Sequence, residues 1–426
     1  MRIACNGLVK KNSGSGIGAQ YLILEELLKR GYKIDFFNRK SFIYPEELCE
    51  YDNFNYFDIR RSILNELLHS LPNLFRKIVL PFTNQLPLVR NFNNKILKQN
   101  ILINHQDKQY DLLLYLDKRS PIRIKEIPTI SWLTGPPQTE WYFIQKLKQK
   151  IIAFCGLFLY AKLSIFYAFK VIGVKSELGF SDTLICGSQW SKEKISDYAA
   201  RADNIKVLPY PIDLNFFKVD KHHNTKNIND NKVFLWLGRC DPRKRLDLLL
   251  EAYALVLKER QDIQLKIFGG FRYAKGYKKL IDNFKFPDRV QYKPYIDRLK
   301  VPELMSFCDV LIQPSEGENF GSSVAEALSC GLPVIVGSTN GTKDYISSSS
   351  FVFDEYTPES LKETMLKAVE AVEQRQKKLA LDARQTAEQN FDVSKIVDRL
   401  EIIFQETLAS KQIEVHHSST EVVKQP

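Results

Sequence analysis

The sequence predicts an α/β chain built as two Rossmann-like, doubly wound domains that face each other across a central cleft. Three observations carry this expectation. The 426 residues exceed what one hydrophobic core usually organises, so two domains are expected. Along both halves short apolar runs alternate with amphipathic stretches, the pattern of parallel strands joined by crossover helices. Between the halves, "KVDKHHNTKNINDNK" (218–232) is polar and aperiodic, as a linker would be.

In the first half, strands are expected at "RIACNG", "KIDFFN", "YDLLLYL", "PTISWL", "DTLICGS" and "IKVLPY". In the second they are "VFLWLG", "QLKIFGG", "RVQYKPY", "DVLIQPS", "PVIVGS" and "SFVFDE", separated by helical stretches such as "RLDLLLEAYALVLKER" and "KGYKKLIDNF". Residues 1–217 then form the first domain, 218–232 the linker and 233–395 the second domain. The amphipathic "SKIVDRLEIIFQETL" (394–408), within a final helix expected over 396–410, leaves too few residues to begin another domain, so it must pack on something already built. Residues 411–426 carry no apolar pattern and are expected to be disordered.

The formal charge of +11 is unevenly divided. Residues 1–217 hold 30 Lys/Arg against 20 Asp/Glu, and the rest hold 31 against 30. Such asymmetry points to an anionic partner for the first domain, with solubility alone as the bland alternative. Within residues 60–104, Arg76, Lys77, Arg90, Lys95 and Lys98 are interleaved with Leu, Ile and Phe. That suits an anionic membrane surface and not a nucleic acid, for which no recognised module is present. The stretch "KLKQKIIAFCGLFLYAKLSIFYAFKVIG" (146–173) is apolar around nearly its whole circumference. Lys162 near its middle, and flanking strands that belong to one sheet, argue against a bilayer span. It is either an in-plane membrane helix or a buried core helix. Seven scattered cysteines and no apolar leader point to the cytoplasm, with peripheral attachment to the inner face of the cell membrane.

The chemistry concentrates at two strand-to-helix loops of the second half. In "SEGENFGSSVAEALSCGLPVIV" (315–336), a strand ends at Pro314-Ser315 and a helix begins near Ser322. Ligands bind at that edge of a doubly wound sheet, and a helix start suits a phosphate. Gly321 lets the backbone approach closely. Glu326, one turn into the helix, can accept two hydroxyl protons of a ribose, and Glu318 lies beyond the phosphates. The bland alternative is a surface acid and a helix-dipole acid. In "LWLGRCDPRKRLDLLLEAY", Gly238 and Arg239 follow a strand and Lys244 precedes a helix, so two cations could neutralise a diphosphate leaving group. Arg243 and Arg245 keep a solvated basic loop in play. The Gly-rich "SGSGIGAQ" (13–20), with Gly16 and Gly18, is either a phosphate cradle or a tight turn.

Taken together, these residues resemble glycosyltransferases of family 4, which have the GT-B architecture. The matching features are Gly238, Arg239 and Lys244, the strand "LKIFGG" that ends at Gly269 and Gly270, and Glu318 and Glu326 ahead of "EALSCGLPVIVG". Residues 231–350 carry the resemblance well and the first half follows it in outline. The resemblance implies a nucleotide-sugar donor, with Arg239 and Lys244 on the diphosphate and Glu318 on the sugar as the catalytic set. It places Gly238, Gly269, Asn319, Phe320, Gly321 and Glu326 in donor binding, the last on the ribose. It further implies retention of configuration, no metal or other cofactor, and a final helix crossing back to the first domain.

Three departures stand out. Arg245 follows the lysine where the family usually has Gly, and "LPYPID" (208–213) replaces its usual Asn-Gly hinge. "SWLTGPP" also stands where many relatives have a histidine. Trp132 and Gly135, with Gly16 and Gly18, are then the acceptor-side candidates by position. The expected activity is hexosyl transfer from a nucleotide sugar to a lipid-linked or polysaccharide acceptor. Its rivals are a nucleotide-sugar epimerase or sugar phosphorylase of the same architecture, and a scaffold with degenerate Rossmann domains.

Overall fold

The computed structural model describes residues 1–40, 44–59, 87–116, 122–135, 137–171, 178–197, 203–218, 231–271, 274–347 and 350–422. Most of the linker, and the basic stretch that holds Arg76 and Lys77, lie outside the described residues.

The first domain runs β1 (Arg2–Asn6), α1 (Ser15–Lys29), β2 (Lys33–Asn38), β3 (Phe54–Asp58), α2 (Pro87–Lys108), β4 (Leu112–Leu116) and β5 (Thr129–Leu133). Three helices follow, α3 (Pro137–Lys146), α4 (Lys148–Cys155) and α5 (Leu157–Val171), then β6 (Thr183–Cys186), α6 (Gln189–Ser196) and β7 (Ile205–Val207). All strands are parallel, in the order β3-β2-β1-β4-β5-β6-β7. The apolar runs of β4 and β5 are buried on both faces, as crossover helices on either side of a parallel sheet require.

The second domain runs β8 (Lys232–Leu237), α7 (Leu246–Glu259), β9 (Ile263–Phe268), α8 (Gly276–Asp282), β10 (Val290–Lys293), α9 (Val301–Ser306) and β11 (Val310–Gln313). It continues through α10 (Ser322–Ser329), β12 (Val334–Gly337), β13 (Phe351–Phe353) and α11 (Pro358–Asn390). Its parallel order is β10-β9-β8-β11-β12-β13. In both sheets the order reverses direction at the first strand, and the crevice at that point is where a doubly wound sheet takes its ligand.

Three expectations need correction. The segment 146–173 is not one helix: it breaks after Lys146 and again at Gly156, whose φ of +89° only glycine adopts cheaply. Nor is it core throughout: Leu147 and Ile151 are buried, but α5 has no buried residue and its outer face leaves Leu157, Phe158, Ile165 and Phe169 exposed. Among the described residues no helix is long and apolar enough to cross a membrane.

The final helix, α12 (Val393–Val422), begins before residue 396 and extends well past 410. Residues 411–422 are therefore helical, since adding turns to a helix already nucleated and packed needs no further apolar stripe. Its N-terminal half crosses back onto the first domain, where Leu400 and Phe404 are buried and Thr407 Oγ1 meets Thr183 Oγ1 at 2.7 Å. Arg30 Nη1 donates to Asp398 at 2.7 Å, and the Tyr32 hydroxyl to Glu401 at 2.9 Å.

Candidate functional site

The site is built by two loops at the carboxyl edge of the second sheet, and each is shaped by glycine at one point. After β8, Gly238 N–H donates to Phe268 O at 3.0 Å. Gly269 packs so closely on the Gly238 carbonyl that a Cβ there has no room. After β11, Gly321 takes φ +100° to open α10, with Asn340 Oδ1 against it.

A short 3-10 turn, Pro242–Lys244, presents Arg243 and Lys244, and the chain then enters α7 through Arg245 in the left-handed region at φ +50°. This accounts for the departure noted at Arg245. The position needs a conformation that glycine adopts freely and other residues adopt at a cost of about 1–2 kcal/mol. Here a buried guanidinium offsets it, bonded to Glu316 and lying 3.4 Å from Asp247.

Lys244 Nζ contacts Glu318 Oε2 directly, both side chains being mostly buried. Arg243, also mostly buried, donates to Glu140 of α3 at 3.0 Å, and the more open Arg239 lies 3.8 Å from Asp241. Burial alone would push the Glu318 carboxyl up, but Lys244, Arg243 and Arg239 overcome it and hold its pKa down at about 2. The structure therefore brings Arg239, Lys244 and Glu318 into one charge cluster, with Arg243 added to it.

Glu326 sits in a second patch. Arg298 Nη2 donates to it at 2.6 Å while stacking over the Phe217 ring at 5.1 Å. Burial drives the Glu326 pKa upward against the pull of Arg298. Together with Ser322 and Gly18 they border a cavity of about 90 Å³ between the domains. Gly18 and Gly16 are also packing glycines: added methyls would strike the Ser13 carbonyl and Thr134 respectively.

Other expected residues hold the loop more than they face a ligand. The Phe320 ring is buried among Tyr210 (4.6 Å), Phe391 (5.6 Å) and Tyr345 (6.2 Å), so it locks the two domains together. Asn319 O accepts from Ser188 Oγ of the first domain at 2.8 Å, and Gly135 faces the Asn319 amide across the cleft. Trp132 is corrected. It is 1% exposed and lies in the core beneath Tyr210, so it does not line the cleft.

Sequence reasoning missed Arg298 and Glu140. Arg298 stands in "YIDRLK", without glycine or motif to mark it, and its role depends on contacts made 28 residues away. Glu140 lies on α3 of the first domain and gains meaning only where that helix crosses to the second.

The depressed Glu318 pKa has a defined sign. Its carboxylate adds stability above its ordinary pKa of 4.5, and that share is lost as the pH falls through about 2. In Glu318→Gln, the fall in melting temperature across this window should be shallower than in the parent chain, as pH-resolved calorimetry would read. Equal slopes would mean that the carboxyl is not held by the three cations.

Residues 218–386 match the family model described as Glycosyl transferases group 1. An uncharacterized glycosyltransferase of Bacillus subtilis, YqgM, is 28% identical over 165 residues, which are 39% of this chain and 44% of that protein. A D-inositol 3-phosphate glycosyltransferase of Paenarthrobacter aurescens is 30% identical over 166 residues, 36% of this chain and 40% of that protein. The chain thus spans less than half the length of these relatives.

Solved structures align over nearly everything. Sucrose-phosphate synthase from Thermosynechococcus elongatus superposes with a TM-score of 0.66 at 15% identity, covering 96% of this chain and 99% of that one. HepE of Anabaena, in complex with UDP-glucose, gives 0.60 at 18% identity, covering 96% and 99%. The chain has the two-domain GT-B fold of those structures, and its second half carries the sequence pattern of the group 1 glycosyl transferases.

Proposed function

We propose that the chain is a retaining glycosyltransferase of the family 4 type, which moves a sugar from a nucleotide diphosphate donor without a metal ion. The observation that carries this reading is the Lys244–Glu318 pair with Arg239 and Arg243 around it. The Glu318 carboxylate pairs with the Lys244 ammonium. A donor diphosphate would take that place, leaving Lys244 and Arg239 to neutralise the leaving group and Glu318 to accept sugar hydroxyls. Glu326, already buried beside Arg298, would hold the ribose. The start of α10, which has no side-chain cap, adds a partial positive charge to the phosphate side.

Attachment to the cytoplasmic face of an anionic membrane completes the proposal, and it rests on the exposed apolar face of α5. Residues 141–171 contain five lysines and no acid; Lys146 and Lys150 pair with Glu316 and Asp247 of the second domain, and the other three keep the stretch basic, which suits an anionic lipid surface. The UDP-glucose complex of HepE, a protein of the same fold, supports a nucleotide-sugar donor.

Incubation with UDP-, GDP- and ADP-sugars together with a membrane-lipid extract as acceptor, followed by assay of released nucleoside diphosphate in EDTA, tests the reading. Release from one donor class is expected, and NMR of the product should show the donor's anomeric configuration. Release that requires inorganic phosphate would mark a phosphorylase, and none from any donor would reject transfer.

A further inference from the structure

Helices α3, α4 and α5 form an arm that leaves the first domain and lands on the donor loop of the second. Three ion pairs fix the landing: Glu140 to Arg243 at 3.0 Å, Lys146 to Glu316 at 2.6 Å and Lys150 to Asp247 at 2.5 Å. Phe154 stacks on Tyr277 at 4.3 Å, and Phe143 seats on Gly317, where no Cβ could fit.

Between the arm and that loop lies a cavity of about 270 Å³. Phe143, Ile144, Leu147, Ile151, Leu163 and Tyr167 form much of its wall, and Arg239 and Arg243 stand at one side. The volume is near the lower end for a small-molecule pocket; its wall is apolar on the side of the arm and charged on the side of the loop, where Glu140 and Asp241 stand with the two arginines, so it suits an amphiphile.

From this geometry we propose that the cavity seats the hydrocarbon chain of an amphiphilic acceptor, whose polar head then lies at Arg239 beside Glu318. The inference rests on the transferase reading and narrows its acceptor to a lipid. Two features support a hydrocarbon occupant. The helix that closes one wall, α5, turns Phe158, Ile165 and Phe169 outward, so the cavity and the proposed lipid-facing surface share one element. The arm carries five lysines against one acid, Glu140; Lys146 and Lys150 pair with the second domain, and the surplus that remains favours an anionic leaflet from which a chain could enter. A polysaccharide acceptor has no comparable use for this wall.

The test uses the full chain and dodecyl phosphate tipped with a diazirine. Photolysis is expected to label peptides within residues 143–167, with unlabelled dodecyl phosphate competing. Filling the cavity by Leu163→Trp should cut that labelling about tenfold or more, because a well-packed wall resists added volume. Ile151→Phe serves as a second cavity-filling variant if the first lowers the melting temperature. Thermal shift by UDP, GDP or ADP, read on the same preparations, should persist in both variants. Labelling that spreads over the surface, or survives both fillings, overturns the proposal while an intact nucleotide shift leaves the transferase reading standing. A parent chain that no nucleotide stabilises removes the transferase reading and the acceptor role with it, wherever the label falls.

Discussion

Replacing Lys244 by alanine is expected to lower turnover by about 10²–10³-fold, the scale on which a single preorganised electrostatic stabiliser acts. The fold should survive. Removing one partner of a buried pair normally strands the other charge, but Glu318 keeps Arg243 and Arg239 as neighbours. A modest change in melting temperature beside a large loss of rate is therefore the expected result, read by circular dichroism and nucleoside diphosphate release. Wild-type turnover in the variant would sink the assignment. Lys244→Arg keeps the charge and should restore part of the rate, which a purely structural lysine would not require.

Glu316→Ala is expected to act in the opposite sense, through stability. Glu316 is buried, bonded to Arg245 and to Lys146, and its N–H donates to Arg243 O at 2.8 Å. Its loss leaves the mostly buried guanidinium of Arg245 with Asp247 alone, 3.4 Å away. Breaking such a pair typically costs about 3–5 kcal/mol, a large part of a domain's net stability. Adding Arg245→Gly should recover much of this, since it removes the stranded cation and the left-handed strain together. Urea unfolding of the single and double variants decides the matter, and a double variant no better than the single would refute the account.

Much of this architecture could be read before any coordinates. Parallel strands buried on both faces appear as unbroken apolar runs, so "VFLWLG" and "PVIVGS" were visible from composition alone. The edge strand β3 was not, because Phe54 to Asp58 mixes aromatics with Asn and stays half exposed, which an edge tolerates. Lys244 and Glu318 were legible because each sits at a fixed place in a strand-to-helix loop. The three-helix arm was hidden by its own uniformity. A stretch apolar all round gives no periodicity to interrupt, and the breaks before Lys148 and at Gly156 left no mark in the pattern. Partnerships such as Arg298 with Glu326 arise from the approach of separate elements, which local spacing does not encode.

The return of α12 to the first sheet bears on how the polypeptide is made. The half that leaves the ribosome earliest lacks its covering helix until the second domain has been made, so the nascent chain must protect an open flank around Tyr32 and Thr183 in the meantime. Cutting the gene at the linker would leave that flank bare in one fragment and an orphan amphipathic rod on the other.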